Sequence, residues 1–250
     1  MRALILAAGV GRRLRATHDA PKCLLNIGGQ TLLERQLAAL AACGVTDIRV
    51  CTGYRSELVD AALARLPGGQ RVHTVYNPHF EQGSVVSLWT LRGALDGTDD
   101  ALVLDADVLF APAILRRLLA SGHRNCLLVD RDYLPGEEPV KVLLQDGRIV
   151  EFRKQVAADI AFDTCGESVG FFRFAPDMAA RLAACCDTYA AGGSEQAPHE
   201  EAIRDLILDA PGEFGIEDIT GLPWTEIDFE ADVHRAREEV LPRLQETANA

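Results

Sequence analysis

The amino-acid sequence predicts an α/β fold with three layers, α/β/α, in which helices cover both faces of a mostly parallel sheet and a small β-rich cap lies over it. Short apolar runs alternate with helical patterns through residues 1–130, and glycine or proline ends the first helices. After residue 130 a hairpin pattern replaces this alternation. The 250 residues are enough for one large domain with its own core.

Strand and helix patterns alternate regularly in the first half of the chain. The strand patterns lie at 2–7, 47–52, 71–76, 101–105 and 125–130, and the helical patterns lie at 30–43, 55–66, 84–95 and 111–120. This alternation is the βαβ signature of a parallel sheet covered by helices. Gly44 ends the first helix and Pro67-Gly68-Gly69 ends the second, as C-terminal stop signals do.

The second half begins with a predicted β-hairpin. Residues 140–144 and 148–152 form its strands, and Asp146-Gly147 supplies the positive φ angles that a tight turn needs. Helices are expected at 176–190 and 198–208, and a last helix after Asp228. Because no repeat or linker interrupts the chain, we predict one domain over 1–250, with halves 1–130 and 131–228 and a C-terminal helix at 229–250.

The charge distribution restricts the class of partner. A net charge of −12 argues against nucleic acid, because a phosphate backbone is bound by a basic face. Positive charge is nevertheless concentrated in one short stretch that contains Arg12, Arg13, Arg15 and Lys22. Small phosphorylated molecules therefore remain suitable partners.

Neither a membrane span nor an export signal is expected. No apolar run approaches the roughly 18 residues that a span needs. The run Ala3-Leu4-Ile5-Leu6-Ala7-Ala8 is too short for a signal-peptide core with its cleavage site. The seven cysteines form no C-x-x-C pair, which favours buried thiols in a reducing compartment. We expect a cytoplasmic protein.

The strongest motif is a glycine-rich loop after the first strand, Leu6-Ala7-Ala8-Gly9-Val10-Gly11-Arg12-Arg13-Leu14, which Pro21-Lys22 follows. Gly9 and Gly11 let the backbone approach a triphosphate and turn N–H groups toward its oxygens. Arg13 adds a fork of donors, and Lys22 adds a mobile point charge. The P-loop pattern is absent, and Leu14 stands where a dinucleotide-binding loop needs its third glycine. Alone, the loop also fits a turn with solvated arginines.

Together with later motifs, this loop resembles the NTP-transferase family, which includes sugar-1-phosphate nucleotidyltransferases and cytidylyltransferases for phosphocholine, aminoethylphosphonate and inositol phosphate. The later motifs are Asn77-Pro78-x-Phe80, Gly83-Ser84-Val85-Val86-Ser87-Leu88-Trp89, Leu104-Asp105-Ala106-Asp107-Val108, Val140-Lys141-Val142, Arg153-Lys154, Gly166-Glu167-Ser168-Val169-Gly170-Phe171 and Trp224-Thr225-Glu226-Ile227-Asp228-Phe229-Glu230-Ala231-Asp232. They are most similar to the phosphocholine-type cytidylyltransferases. The resemblance implies a Rossmann-like, GT-A-like fold whose half 1–130 binds an NTP and whose half 131–228 binds the acceptor.

Carboxylates that could hold Mg²⁺ lie near strand ends. Asp107 follows the strand at 101–105, where ligands of parallel sheets bind. The resemblance implies Asp228 as the second ligand, and Glu226 lies on the same side of an extended segment. Asp228 could also be a helix N-cap, and Asp105 is expected to be structural or to contact the base. Asp105-Ala106-Asp107 also matches the D-x-D of glycosyltransferases, but that class needs no basic loop for a departing pyrophosphate.

The resemblance implies contacts for both substrates. The nucleotide contacts are Ala7, Ala8, Gly9, Gly11, Arg12, Gln82, Gly83, Ser84, Ser87 and Asp105. Ser84 could equally be an N-cap and Ser87 an exposed helix residue. The candidate acceptor contacts are Glu167, Glu200, Asp132, Tyr133, Lys141 and Lys154, with Trp89 as a further aromatic ring. For these charged side chains a solvated surface position is the alternative.

The implied reaction is CMP transfer from CTP to a small phosphate or phosphonate that carries an amine or quaternary ammonium, with release of pyrophosphate (EC 2.7.7 type). Mg²⁺ neutralises the reactants, Lys22 stabilises charge on the α-phosphoryl group and Arg13 holds the pyrophosphate. No catalytic histidine is assigned. A sugar- or polyol-phosphate nucleotidyltransferase that uses UTP, GTP or CTP, a glycosyltransferase and an inactive nucleotide sensor remain alternatives, and a homodimer stays open.

Overall fold

The computed structural model describes residues 1–14, 18–66, 70–134 and 136–249. Arg15 of the basic stretch and the Pro67-Gly68-Gly69 helix stop lie outside these ranges. Within them, no helix is long and apolar enough to cross a membrane.

The first half contains most of the predicted strand–helix alternation. Its elements are β1 (Arg2–Leu6), a 3₁₀ turn (Lys22–Leu24), β2 (Asn26–Ile27), β3 (Gln30–Thr31), α1 (Leu32–Ala42), β4 (Asp47–Thr52), α2 (Ser56–Leu63), β5 (Arg71–Tyr76), α3 (Ser84–Thr90), a 3₁₀ turn (Arg92–Ala94), β6 (Ala101–Asp105), β7 (Val108–Phe110), α4 (Pro112–Ala120) and β8 (Asn125–Asp130).

The second half begins with the predicted hairpin. Its elements are β9 (Lys141–Gln145), β10 (Arg148–Arg153), β11 (Thr164–Phe174), α5 (Pro176–Ala191), α6 (His199–Asp209), β12 (Phe214–Asp218), β13 (Trp224–Glu226), α7 (Glu230–Arg235), a π-helical turn (Ala236–Val240) and α8 (Leu241–Asn249). Asp146 and Gly147 have φ angles of 52° and 73°, which confirms the turn chemistry.

One sheet with the strand order β10-β9-β11-β6-β1-β4-β5 forms the middle layer, and β8 and β12 join it through β11. Strand β1 is parallel to both neighbours, β4 and β6, and β4 is parallel to β5. Leucines of α1 and α4 pack on one face, whereas apolar side chains of α3, α5 and α6 pack on the other. The α/β/α prediction is confirmed, but the hairpin β9–β10 predicted as a cap over the sheet instead extends the same sheet through β11.

Strand β8 does not continue the parallel series directly, because β11 lies between it and β6. Strand β11 is antiparallel to β6, β8 and β9. Its pairing with β8 shifts register between Ser168 and Phe172, where Gly170 has a φ of 75°. This irregularity lets one long strand pair with the hairpin at one end and with the parallel sheet at the other.

Candidate active site

The glycine-rich loop leaves the end of β1 and forms one wall of a cleft. Ala7 donates a backbone hydrogen bond to Cys51 on β4 at 3.0 Å, so the loop starts in register with the sheet. Gly11 has a φ of 61°, and a Cβ there would lie 3.0 Å from Cγ of Lys22. The glycine is therefore needed both for the turn and for the close passage of the lysine.

We call this space the nucleotide cleft. It has a cavity volume of about 340 Å³ and is lined by Leu6, Ala7, Ala8, Gly9, Gly11, Arg12, Arg13, Lys22, Cys23, Phe80, Gln82, Ser84, Ser87, Asp105, Ala106, Asp107, His199, Glu200, Glu226 and Asp228. Most of the predicted nucleotide contacts are among these residues, although they come from distant parts of the chain.

Three carboxylates meet at one end of the cleft. Asp107, Glu226 and Asp228 each offer an oxygen, and these atoms lie within 4.8 Å of one another. Two contacts bring them together: β13 pairs with β7, and the N–H of Ile227 donates to the carbonyl of Asp107 at 3.0 Å. Such an oxygen cluster fits a hard divalent cation such as Mg²⁺.

Lys22 joins two of these carboxylates. Its Nζ donates to Asp107 Oδ2 at 2.9 Å and to Asp228 Oδ1. Burial lowers the pKa of Lys22, but the charges of Asp107 and Asp228 outweigh it and raise the pKa above its usual value. Burial raises the pKa of Asp228, but Lys22 and Arg13 bring it below its usual value. Both groups are charged at neutral pH.

The third carboxylate, Glu226, behaves differently. Desolvation in the cleft and the negative charges of Asp107 and Asp228 raise its pKa well above the usual value, although the side chain reaches solvent. Mutual repulsion of this kind is relieved by a bound cation.

Arg13 lies at the same end of the cleft. Its guanidinium donates to Asp228 Oδ2 at 3.1 Å and to Glu138 Oε1 at 2.7 Å, and it lies 4.7 Å from the ring centroid of Phe229. Arg12 also lines the cleft. The phosphate-binding groups expected from the sequence are therefore collected beside the carboxylates.

Another part of the cleft lining comes from the start of α3. Gly83 is the N-cap residue, so Ser84 is the first helical residue and not the cap. Ser87 is buried rather than exposed, and its Oγ accepts a hydrogen bond from Asn77 Nδ2 at 3.2 Å. The interpretation of Ser84 as an N-cap is wrong because Gly83 holds that position. The interpretation of Ser87 as exposed is wrong because its side chain is buried and bonded to Asn77.

His199 lines the cleft although no histidine was assigned to it from the sequence. It is 3% exposed, and its Nδ1 lies 3.0 Å from both Ser84 Oγ and Glu200 Oε2. Its Nε2 lies 3.5 Å from Asp105 Oδ1. Burial lowers the pKa of His199, but Glu200 and Asp105 raise it to about 9. The sequence carries no local signal for this cluster, because Ser84 and His199 are 115 positions apart.

A second space, which we call the acidic cavity, adjoins the first. Its volume is about 200 Å³, and it is lined by Asp130, Asp132, Tyr133, Leu134, Glu138, Pro139, Glu167, Trp224, Thr225, Glu226, Asp228, Phe229, Asp232 and Arg235. It shares Glu226 and Asp228 with the nucleotide cleft, so the carboxylate cluster stands where the two spaces meet. Burial and the charge of Asp130 raise the pKa of Glu167 to about 7.

Several candidate acceptor residues lie elsewhere. Glu200 lines the nucleotide cleft and not the acidic cavity. Lys141 donates to the carbonyls of Gly136 at 2.9 Å and Lys154 at 2.7 Å. Lys154 lines a neighbouring cavity with Glu138 and Glu200.

The ring of Trp89, a further candidate for the acceptor, does not line the acidic cavity. It lies beneath the guanidinium of Arg92 at 4.0 Å, and its Nε1 donates to Asp187 at 2.8 Å.

The interpretation of Asp228 as a helix N-cap is wrong, because Phe229 holds that position. The carboxylate of Asp232 instead accepts the N–H groups of Asp228 and Phe229 at 3.0 and 2.7 Å, which leaves the Asp228 side chain to Lys22 and Arg13.

The chain is similar to known proteins in sequence and in fold. The model of the MobA-like NTP transferase domain matches residues 3–159. The CMP-5'-(3-aminopropyl)phosphonate synthase of Streptomyces rubellomurinus is 28% identical over 94% of this chain and 38% of its own length. The bifunctional IPC transferase and DIPP synthase of Rubrobacter xylanophilus is 32% identical over 96% of this chain and 52% of its own length. The chain thus spans about half or less of these relatives.

Two further proteins match over more of their own length. The CTP:phosphoglutamine cytidylyltransferase of Campylobacter jejuni is 22% identical over 70% of this chain and 73% of its own length. The inositol-1-phosphate CTP transferase from T. maritima has a similar fold, with a TM-score of 0.76 at 23% identity over 98% of this chain and 94% of that one.

Proposed function

Because the chain belongs to the MobA-like NTP transferase family, we propose that it is a cytidylyltransferase that transfers CMP from CTP to a small phosphate or phosphonate and releases pyrophosphate. The observation that carries the proposal is that Glu226 and Asp228 line both the nucleotide cleft and the acidic cavity, with Asp107 and Lys22 beside them in the cleft. A reaction centre at this junction faces both substrates.

CTP is the proposed donor because the names of two relatives contain CTP or a CMP-linked product. One relative is named for a CMP-phosphonate product and another for CTP and phosphoglutamine. The start of α3 and the loop at Ala7, Ala8 and Gly9 would read the base. The polar groups there include the side chains of Gln82, Ser84 and Ser87 and the backbone of the loop.

Asp107, Asp228 and Glu226 would hold Mg²⁺. When bound, the cation would neutralise charge on the nucleotide phosphates and the acceptor. Lys22 has a flexible stem that lets its ammonium reach oxygens of the α-phosphoryl group, where charge develops. Arg13 and the loop amides would hold the departing pyrophosphate. A phosphate or phosphonate oxygen that is already ionised needs no general base to attack.

The acidic cavity would take the head group of the acceptor. Its carboxylates outnumber its arginine, Arg235, and the rings of Tyr133, Trp224 and Phe229 lie among them. This combination suits an ammonium or quaternary ammonium group, which carboxylates attract and aromatic faces can cover. Glu167 and Asp132 are the acceptor contacts that we propose, and Lys154 in the neighbouring cavity would add positive charge for a phosphate.

The test is pyrophosphate release with four NTPs against a panel of acceptors: phosphocholine, phosphoethanolamine, 2-aminoethylphosphonate, glycerol phosphate, inositol phosphate and glucose 1-phosphate. We expect CTP with a cationic acceptor to give the highest kcat/KM. Higher values with glycerol phosphate or inositol phosphate would contradict the role of the acidic cavity. Higher values with UTP or GTP and glucose 1-phosphate would identify a sugar-phosphate enzyme instead.

One pair of variants tests the cavity itself. Glu167→Gln should reduce the preference for cationic over uncharged acceptors. Glu201→Gln is the matched control, because Glu201 pairs with Arg153 at 2.7 Å and lies outside the acidic cavity. If Glu167→Gln leaves the preference unchanged, Glu167 belongs to the scaffold.

A further inference from the structure

A short segment before α6 is attached to the start of α3. The N–H of Gly83 donates to the carbonyl of Glu195 at 2.8 Å, and the N–H of Val85 donates to that of Ala197 at 3.2 Å. Ser84 Oγ accepts the N–H of His199 at 2.8 Å. These bonds bring the first residues of α6 against the nucleotide cleft.

The attachment places a buried imidazole beside two carboxylates. His199 Nδ1 lies 3.0 Å from Glu200 Oε2, and Nε2 lies 3.5 Å from Asp105 Oδ1. Within the part of the chain that the structure describes, Nε2 of this 3% exposed side chain has no hydrogen-bond partner. Because the neighbouring carboxylates favour the imidazolium form, His199 holds Glu200 by charge as well as by contact.

Glu200 lines the nucleotide cleft and has neighbours in two parts of its lining. Through His199 it is linked to Ser84 at the end proposed for the base. It also shares a small cavity of about 20 Å³ with Asp105 and Glu226, and Glu226 belongs to the carboxylate cluster at the phosphate end. A nucleoside triphosphate with its base near Ser84 and its phosphates near Glu226 would have its ribose between them, beside Glu200.

The charge at this place excludes one class of ligand group and suits another. Carboxylates repel phosphate oxygens, whereas they accept strong hydrogen bonds from hydroxyl groups. The oxygen Glu200 Oε2 is buried against His199, and the rest of the side chain lines the cleft. The orientation of Glu200 is therefore set before a nucleotide arrives.

We propose that Glu200, positioned by His199, accepts a hydrogen bond from a ribose hydroxyl of the bound nucleotide and thereby selects ribonucleotides over deoxyribonucleotides. The inference rests on the proposed function, since it takes the nucleotide to be a substrate of this cleft. Glu200 is the specificity-determining residue, and His199 is a positioning residue that acts through it.

The first test compares CTP, 2′-deoxy-CTP and 3′-deoxy-CTP with the unaltered protein, by kcat/KM and by calorimetric binding with Mg²⁺. We expect CTP to be preferred over at least one deoxy analogue by about 10-fold or more, because a site built for a hydroxyl rejects an analogue that lacks it. Equal use and equal binding of all three nucleotides would overturn the proposal. This comparison does not depend on the folding of any variant.

The second test uses Glu200→Ala, with Glu201→Ala as the matched control. Glu200→Ala should lower kcat/KM for CTP by about 10-fold. It should leave kcat/KM almost unchanged for the deoxy analogue that the unaltered protein discriminates against. His199→Gln should reduce the preference for CTP over this deoxy analogue by raising KM for CTP. It should leave KM for the acceptor unchanged. If Glu200→Ala lowers kcat/KM equally for all three nucleotides, Glu200 does not contact the ribose. The same conclusion follows if it changes only the ratio of kcat/KM for CTP to that for UTP.

The two proposals fail separately. If no acceptor yields pyrophosphate but calorimetry still shows ribonucleotide preference that Glu200→Ala abolishes, CMP transfer is wrong and the ribose contact stands. If CMP transfer proceeds equally well from all three nucleotides, the transfer reaction stands and the ribose contact is wrong.

Discussion

At the scale of single residues, Lys22 is a largely buried cation held between two carboxylates. Its side chain is 15% exposed and is bonded to Asp107 and Asp228, so its positive charge is retained beside these two carboxylates. A preorganised charge matters most where negative charge develops, which is in the transition state and not in the bound nucleotide.

Lys22→Ala should therefore lower kcat by roughly 10²-fold or more, with a smaller change in KM for CTP. Steady-state pyrophosphate release measures both constants. Lys141→Ala is the control, because Lys141 is bonded to backbone carbonyls and lines neither the nucleotide cleft nor the acidic cavity. Turnover near that of the unaltered protein would remove Lys22 from the mechanism.

Asp228 and Asp232 have separate roles in the structure, and substitution should separate them. Asp228→Asn should abolish the Mg²⁺-dependent activity and leave the melting temperature nearly unchanged, because Asp232 caps the start of α7. Asp232→Ala should cost about 1 kcal/mol of stability and leave the Mg²⁺ concentration dependence unchanged. Activity measured against Mg²⁺ concentration reports the first effect, and thermal melts report the loss of stability. Full activity of Asp228→Asn at low Mg²⁺ would exclude Asp228 as a ligand.

The raised pKa of Glu167 predicts that acceptor binding depends on pH. Its pKa is raised to about 7 by burial and by Asp130, so the ionised form that attracts a cation is gained as the pH rises from 6 to 8. KM for 2-aminoethylphosphonate should fall over this range, and Glu167→Gln should remove its share of the fall. The same profile measured with glycerol phosphate controls for ionisation of the acceptor phosphate. A profile unaltered by Glu167→Gln would contradict the proposed contact.

At the scale of elements, the sequence predicts what local periodicity encodes. The alternating strands and helices and the Asp146-Gly147 turn follow from patterns within a few residues. The insertion of β11 between β6 and β8 does not, because strand order depends on contacts between distant segments. The same limit applies to the site: the loop with Arg13 and Lys22 is one local motif, whereas the position of His199 depends on the attachment of α6 to α3.

This attachment gives a prediction at the element scale. A Cβ on Gly83 would lie 2.1 Å from the carbonyl oxygen of Ala197, so Gly83→Ala must move the segment before α6 away from α3. We expect about 1–3 kcal/mol of lost stability and a higher KM for CTP. Gly93→Ala is the control, since a Cβ there meets no atom within 4 Å. Unchanged stability and KM for Gly83→Ala would contradict a tight attachment.

At the scale of the whole molecule, strands of one continuous sheet lead to both the nucleotide cleft and the acidic cavity. The end of β6 leads to Asp107, and the pairing of β7 with β13 brings Glu226 and Asp228 beside it. The chain carries a net charge of −12, yet Arg12, Arg13 and Lys22 all line the nucleotide cleft. Under the proposed function, this local concentration of positive charge, and not the overall charge, would make the cleft suitable for a triphosphate.

Phosphorus-31 NMR of CTP and 2-aminoethylphosphonate with Mg²⁺ and the protein tests the proposed CMP transfer most directly. Attack of the phosphonate on the α-phosphorus predicts equal amounts of pyrophosphate and of a product in which the phosphonate and the CMP phosphorus are coupled through one oxygen. CDP or inorganic phosphate as the primary product, or an unchanged phosphonate while CTP is consumed, would contradict CMP transfer to this class of acceptor.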